Sequence, residues 1–397
     1  MISVDEAVER IASAFEALNS ERVSIAEALG RVLAEAVAAA FDQPPAPMSA
    51  MDGYAVRASE ATLNAELSVV GTAPAGKPFV GHVGPKQAVR IFTGGVVPEG
   101  TDAVIIQEDA EARGTRVVVK EAPRKGENVR MQGLDFRAGD ILFERGHRLG
   151  ARDLALLASS DLAELAVTRK PRIGVVATGD ELSRPGEARQ PGGIVASSTY
   201  ALQAMIKTWG GEALDLGILP DKPEAFAQLS DAARGADLIL TMGGASVGDH
   251  DLVQRGLLPH GFAVDFWKIA MRPGKPLIFG RLKQTPLLGL PGNPVSAMVC
   301  GLLFLAPAIA AMLGTPYRAP IVKARLMSPL HANGKRQDYI RAKLAREGGQ
   351  LTAEPFALQD SSMQKVFAEA DSLIVRRPNA PSANAGEEVD VLLLENC

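Results

Sequence analysis

Cysteine is scarce in this chain: two residues, Cys300 and Cys397, in 397. Two cysteines exclude a disulfide framework, and Cys300 lies inside an apolar run, as a buried thiol does. This usage points to a reducing compartment, the cytoplasm. Aromatics are also few, at 5%, so Ala, Val and Leu must fill the interior. Excess positive charge is absent. Lys and Arg number 42 against 46 Asp and Glu, for a formal charge of -4. Nucleic acid is therefore excluded as a main ligand, since a phosphate polymer needs a basic excess. A small anion remains open, because a local pocket needs only a few cations. The start, Met1-Ile2-Ser3-Val4-Asp5-Glu6, lacks the cationic and apolar regions of a signal peptide. One uncharged run, Val295–Gly314, is long enough to span a bilayer. It contains Pro307, follows a Pro-Gly-Asn-Pro turn and lacks flanking aromatic belts, so a buried helix and no membrane span is expected.

What is present is a globular composition, 47% hydrophobic and 22% charged, too long for one ordinary core. Residues 3–17 carry helical periodicity through Val4, Ala7, Val8, Ile11 and Ala12. A second helix-like stretch covers Ser24–Ala39, before the turn Gln43-Pro44-Pro45-Ala46-Pro47. Between 66 and 148 short β-like runs alternate with Gly and Pro: Leu67–Val70, Ala88–Phe92, Ala103–Gln107, Arg116–Val119 and Ile141–Phe143. Residues 151–169 read as helix again. From 171 the rhythm changes. Ile173–Ala177, Leu214–Leu219, Leu238–Thr241 and Leu287–Leu290 are short apolar strands, and Ser197–Trp209 is a helix with serine capping. Strands alternating with helices predict a mainly parallel sheet covered on both faces. Beyond Arg318 the runs Val322–Leu326, Asp338–Leu344, Leu373–Val375 and Val389–Leu394 predict a small β domain.

Glycine and acidic residues cluster after three of the predicted strands. Thr178-Gly179-Asp180-Glu181-Leu182 follows the first. Gly243-Gly244-Ala245-Ser246-Val247-Gly248-Asp249-His250-Asp251 follows the third, and Pro291-Gly292-Asn293-Pro294 the fourth. In a parallel sheet these loops meet at the carboxyl edge, where ligands bind. Glycine lets backbone N–H groups approach an anion, and carboxylates beside such a loop hold Mg²⁺ that bridges to phosphate. Lys268, Arg272 and Lys275 add positive charge nearby. Ordinary turn chemistry explains any one of these loops; three at one edge, with acids and bases, describe a pocket for a phosphorylated ligand and a divalent metal. In the first half, Ser49–Ala55, Arg90–Gly95 with Val97–Gly100, and Gly126–Asp135 read only as polar loops on a β domain. No Cys or His cluster has metal-ligand spacing, and no Walker loop is present.

Seven strings in this order resemble the molybdopterin molybdenumtransferases, a family that includes the C-terminal domain of gephyrin. They are Ser49–Ala55, Arg90–Gly95 with Pro98–Val104, Gly126–Asp135, Thr178–Leu182, Gly243–Asp251, Pro273–Pro276 and Pro291–Ser296. They span most of residues 40–300; the C-terminal part matches only weakly. The resemblance implies a multidomain α/β plus β fold. A discontinuous helical N-terminal domain (1–45 and 137–168) carries an inserted small β domain (46–136). A three-layer α/β domain resembling molybdopterin adenylyltransferase (169–317) and a C-terminal β domain (318–397) follow. It implies an elongated homodimer with the β domain of one subunit over the α/β domain of the other. It also implies transient contact with the adenylyltransferase and with molybdoenzyme maturation proteins.

The implied reaction inserts molybdenum from molybdate into adenylylated molybdopterin, with Mg²⁺ as cofactor and AMP released. Carried over residue by residue, the family assigns catalytic roles to Glu181, Asp52 and Asp135. Substrate contacts fall to Thr93, Gly94, Thr178, Gly179, Asp221, Gly243, Gly244, Ser246, Gly248, Lys268, Arg272, Lys275, Pro291, Gly292, Asn293, Pro294 and Ser296, with Arg341 and Ser361 from the last domain. Mg²⁺ falls to Glu181, Asp221 and Asp251, where a metal-activated water would cleave the phosphoanhydride. Molybdate, a tetrahedral oxyanion, suits Lys268, Arg272 and Lys275. Two positions depart from the family. Pro47-Met48 replaces a polar pair, and Arg272 stands where many members have Lys, a planar fork for a point charge. Adenylylation of molybdopterin is the competing enzyme reading; the extra N-terminal β domain and the Ser49–Ala55 string argue against it. A non-catalytic scaffold or a cofactor-binding homologue are the alternatives from other classes. Intact acids at 181, 221 and 251 argue against the latter.

Overall fold

The computed structural model describes residues 1–227, 229–243 and 256–394. Three six-stranded sheets organise the chain. The first, in the N-terminal half, has the order Ala103–Ile106, Gly53–Val56, Gln87–Ile91, Glu66–Ala73, Arg116–Val119, Ala110–Arg113. Its second strand is buried along its whole length. Tyr54 and Val56 enter one apolar cluster while Ala55 enters another on the opposite face, as period-two geometry requires. Gly53 admits no side chain there, because a Cβ would sit 1.8 Å from the Ile105 carbonyl oxygen.

The second sheet runs Glu212–Leu219, Arg172–Thr178, Leu238–Met242, Thr285–Leu290, Ile278–Leu282, Phe262–Trp267. The first four strands are parallel, as the alternating sequence predicts. The last two are antiparallel additions that the sequence reading does not contain. Helices Ser197–Thr208 and Pro294–Leu313 pack on one face. Phe226, Leu229, Ala233 and Leu257 cover the other, giving three layers.

The helix Pro294–Leu313 is the expected buried one: its most apolar window is 94% buried inside the protein. It begins with Pro294 at the first helical turn after Asn293. It widens to a π-helical turn over Gly301–Leu305 just before Pro307. Proline has no N–H and its ring crowds the carbonyl four residues back; one wider turn relieves both. Gly301 lets the helix Ser197–Thr208 approach, since a Cβ would lie 2.7 Å from Leu202 Cδ2.

In the third sheet Gln337–Glu347 pairs with both Gln350–Pro355 and Ser372–Arg376. With Ile321–Leu326 and Glu388–Leu393 between these two, the strands close into a small barrel around Leu326, Ile374 and Val391. Met271–Arg272, from the α/β region, adds to its edge.

Four expectations change. The first helix covers only Val4–Ala12, capped by Ser3, whose hydroxyl accepts from the Glu6 N–H. Ser24–Ala39 is not helical: Ser20–Ser24 pairs with Glu164–Thr168, Ile25–Glu27 is one 3₁₀ turn, and Val37–Ala38 pairs with Ile141–Phe143. Gly30, at φ +75°, turns the chain left-handed in the middle of that stretch. Residues 151–169 are helical only to Ser159. Asp161 at φ +61° then redirects the chain into the strand Glu164–Thr168, which buries Leu165 and Val167 alternately. The helix at Ser197 has no serine cap; Ala196 occupies that position.

Phe304 is fully buried in the helix. Phe304→Ala is expected to cost about 3–5 kcal/mol, read from denaturant unfolding. A loss below about 1 kcal/mol would contradict the placement of this helix in the core.

Candidate functional site

The parallel strands end on one edge, and the loops that leave them enclose a cavity of about 780 Å³. Thr178, Glu181 and Leu182 line it from the loop after Arg172–Thr178. Asp221 comes from the loop after Glu212–Leu219, Met242 and Gly243 from the end of Leu238–Met242, and Pro291–Pro294 from the loop after Thr285–Leu290. The convergence expected from sequence is therefore physical. Gly243, at φ +93°, packs so closely that a Cβ would lie 2.6 Å from the Thr178 carbonyl and 2.9 Å from its hydroxyl. A Cβ on Gly292 would lie 3.5 Å from the Gly243 Cα. Gly244, Ser246, Gly248 and Asp251 lie outside the described residues.

The acids are placed by short backbone contacts. Gly179 turns the chain at φ +152°, and its N–H donates to the Leu219 carbonyl. A Cβ there would meet the Glu181 carboxylate at 2.7 Å, so the glycine leaves room for that side chain. The Glu181 carbonyl accepts from the Ile194 N–H at 2.8 Å. The Asp221 N–H donates to the Asp180 carboxylate at 3.2 Å. Asp180 thus ties two strand-end loops together, while Glu181 and Asp221 face one cavity.

Two helices begin at this cavity, one at Ser197 and one at Pro294. Ser197, Ser198 and Thr199 line it, and neither N-terminus carries a side-chain cap. First-turn N–H groups have no intrahelical partner and favour anions. Ser296 is in the second helix, 4% exposed, and does not line the cavity.

The C-terminal barrel closes one side. Asn293 Nδ2 donates to Ser361 Oγ at 3.0 Å, and the Val295 N–H donates to the Ser361 carbonyl at 3.1 Å. Ser362 and Gln364 line the cavity. Arg341 does not line it: it is 2% exposed and donates to Gln359 Oε1 and the Asp360 carbonyl at 3.1 and 2.8 Å. It holds the loop that carries Ser361 and Ser362.

The three cations named from sequence also stand outside the lining. Lys268 lies over the Trp267 ring at 3.6 Å, Arg272 pairs with the buried Asp338, and Lys275 precedes Pro276, which does line the cavity. Arg189, in the loop between Ser183 and Ile194, supplies the cation the lining has. Sequence reading missed Arg189, Ser362 and Gln364. Arg189 sits in a Gly- and Pro-rich stretch with no anion-binding pattern, and nothing short of the tertiary fold brings the barrel to this edge.

A second polar cluster lies on the β domain. Asp52 Oδ1 accepts from the Thr93 N–H at 2.7 Å and from the Thr93 hydroxyl at 2.9 Å. These bonds, backbone first and then hydroxyl, with the positive charge of Arg90 as a smaller contributor, hold the Asp52 carboxyl below the usual aspartate range. Arg90 lies over Tyr54 and Phe92, 5.0 Å from each ring centre, and donates to the Gly53 carbonyl. The Gly94 N–H donates to the Ser49 carbonyl. Asp135 is exposed, its N–H bonded to the Gln43 carbonyl. None of Asp52, Thr93, Gly94 and Asp135 lines the cavity.

Comparison with known proteins covers the whole chain. Residues 2–160 match the model of the MoeA N-terminal region (domains I and II), residues 174–311 a probable molybdopterin binding domain, and residues 323–394 the MoeA C-terminal region (domain IV). A molybdopterin molybdenumtransferase of Haemophilus influenzae is 37% identical over 378 residues, covering 94% of this chain and 93% of its own. One from Bacillus subtilis is 33% identical, over 99% and 94%. A crystal structure of a molybdopterin biosynthesis MoeA protein from Pyrococcus horikoshii superposes with a TM-score of 0.88 at 31% identity, over 100% of both chains.

The Asp52 contacts generate a pH prediction. A depressed carboxyl contributes stability above its unfolded pKa and loses it as pH falls through the folded value. Thr93→Val removes the hydroxyl donor and keeps the N–H. The Asp52 titration midpoint, followed by carboxyl NMR, should move part of the way up toward the usual range; an unmoved midpoint refutes the assigned cause.

Proposed function

The chain belongs to the molybdopterin molybdenumtransferases, transferases of molybdenum cofactor biosynthesis, and from that premise we propose that it inserts molybdenum from molybdate into adenylylated molybdopterin and releases AMP. The observation that carries this reading is the cavity at the strand ends, where Glu181 and Asp221 face a surface built from Thr178, Gly243 and Pro291–Pro294. Magnesium fits these donors. Mg²⁺ takes oxygen ligands, commonly one or two carboxylates with water and substrate phosphate completing the shell. Among the described residues no group of three side-chain ligands forms, so Glu181 and Asp221 are the donors that would hold it. Bound there, it would supply positive charge to the oxygens of the phosphoanhydride. The uncapped helix start at Ser197 orients the anionic part of the substrate through N–H groups. The barrel loop at Ser361 limits the access of water on that side.

Asp52 and Thr93 stand apart from this cavity in the chain, while the resemblance assigns both to the site. We propose that they complete the site of a second subunit in a homodimer. By this arrangement each dimer has two equal composite sites.

Two measurements test these statements. Purified protein is incubated with adenylylated molybdopterin, molybdate and Mg²⁺, and AMP and cofactor are followed. Glu181→Gln should keep the fold and ligand binding and lose AMP release; wild-type release by the variant sinks the role of Glu181. For the dimer, Asp52→Ala and Glu181→Ala subunits are mixed, each inactive alone. A mixed dimer collects both lesions in one site and none in the other. Random pairing makes about half the dimers mixed, so roughly a quarter of wild-type activity returns. No recovery in verified mixed dimers excludes the shared site.

A further inference from the structure

We propose that Arg189 is the phosphate-binding cation of the cavity, holding the nucleotide phosphate of the substrate from the side opposite in charge to Glu181 and Asp221. The inference rests on the functional reading above and extends it to a residue that the sequence motifs do not contain. Among the described residues Arg189 is the only Lys or Arg lining the cavity. The cations expected for this task lie elsewhere, Lys268 over Trp267 and Arg272 on Asp338. Arg189 makes no hydrogen bond or ion pair among the described residues. Its neighbour Arg184 shows the contrast: it is bound to Asp215 at 3.1 Å and anchors the loop to the strand Glu212–Leu219.

The loop is held at both ends beside the cavity, which Arg189 lines. Residues 184–193 leave and rejoin a parallel strand pair, Leu182 with Ile194 and Ser183 with Val195. Inside it, the Arg184 N–H donates to the Glu187 carboxylate at 2.8 Å and the Gly193 N–H to the Gln190 carbonyl at 2.8 Å. Because the Ile194 N–H also bonds the Glu181 carbonyl, the loop that carries Arg189 and the turn that carries Glu181 share one brace. Two acids without a facing cation would repel a phosphate. A guanidinium offers a planar fork of donors that matches phosphate oxygens. Arg189 has no partner to give up among the described residues when it takes up a phosphate.

The test uses the full-length protein, AMP and inorganic pyrophosphate as probes, each with Mg²⁺, and calorimetric titration. Arg189→Ala should weaken both probes by about tenfold to a hundredfold, the scale of one lost charge-assisted hydrogen bond. Arg189→Lys should recover part of the loss. In turnover the variant should raise KM and leave kcat near wild type. The denaturation midpoint should not move, because the side chain is exposed and unpaired among the described residues; Arg189→Gln serves as a second variant if the alanine form folds poorly. Wild-type protein that binds neither probe counts against the functional reading itself. Wild-type binding with an unchanged Arg189→Ala overturns the inference and leaves that reading standing. Weaker AMP with unchanged pyrophosphate also overturns it, because the arginine would then be stacking on the base.

Discussion

The helix Pro294–Leu313 places its apolar side chains in a core that three parts of the chain share. Val299, Phe304, Leu305 and Ile309 lie there beside Val4, Ala7 and Ile11 of the first helix, Ile173 and Leu288 of the parallel sheet, and Tyr339, Leu373 and Leu392 of the barrel. Burial of apolar area is non-directional and sums over the shared surface. One core therefore fixes the relative position of the α/β layers and the barrel more firmly than the few polar contacts between them. Geometry then adds direction. The first residues of this helix form the cavity wall, so a shift of the core is a shift of the site.

Polar contacts finish what burial begins. Asn293 bonds Ser361 across the seam, and Met271–Arg272 joins the barrel edge as a strand. Arg341 is nearly buried, and burial pulls its pKa down from the ordinary value. It nonetheless has Gln359 and the Asp360 carbonyl as acceptors. A buried cation satisfied by carbonyls and an amide is expensive to move, because each alternative leaves a donor unpaired. That makes Arg341 a positioning residue for the loop carrying Ser361.

The parts legible in sequence were those where one residue's environment is uniform. Ile173–Ala177 and Leu238–Thr241 are buried on both faces, so continuous apolar residues identify them directly. The glycine loops were legible because Gly179 and Gly243 take backbone angles that side chains disfavour. Ser24–Ala39 failed for the opposite reason: Ala28, Val32 and Leu33 are buried, and their spacing imitates a helix face while Gly30 breaks it. Phe262–Trp267 and Ile278–Leu282 failed because exposed charged residues, Asp265 and Arg281, interrupt their apolar runs. The strand Glu164–Thr168 was hidden by the helix directly before it. Lys268, Arg272 and Lys275 were near the right edge in sequence, but tertiary pairing diverts Arg272 to Asp338. Short-range patterns do not carry that information.

The charge arrangement at the cavity follows from these constraints. Glu181 and Asp221 are brought together by the parallel register, with the Asp180 carboxylate accepting from the Asp221 N–H. Two carboxylates alone make a poor site for a phosphate ester, since like charges repel even through a high effective dielectric. A divalent cation, as proposed above, would resolve this by turning the acids from a barrier into ligands. Gly243, Gly292 and the helix start at Ser197 lie at the same edge, where backbone N–H groups suit an anion. The Asp52 cluster has the reverse character: the Thr93 N–H and hydroxyl, with Arg90 contributing less, hold its carboxyl below the usual aspartate range. A fixed anion with its donors already engaged is suited to orienting a partner group rather than to accepting and returning a proton. That division of labour is consistent with the two clusters lying on different domains.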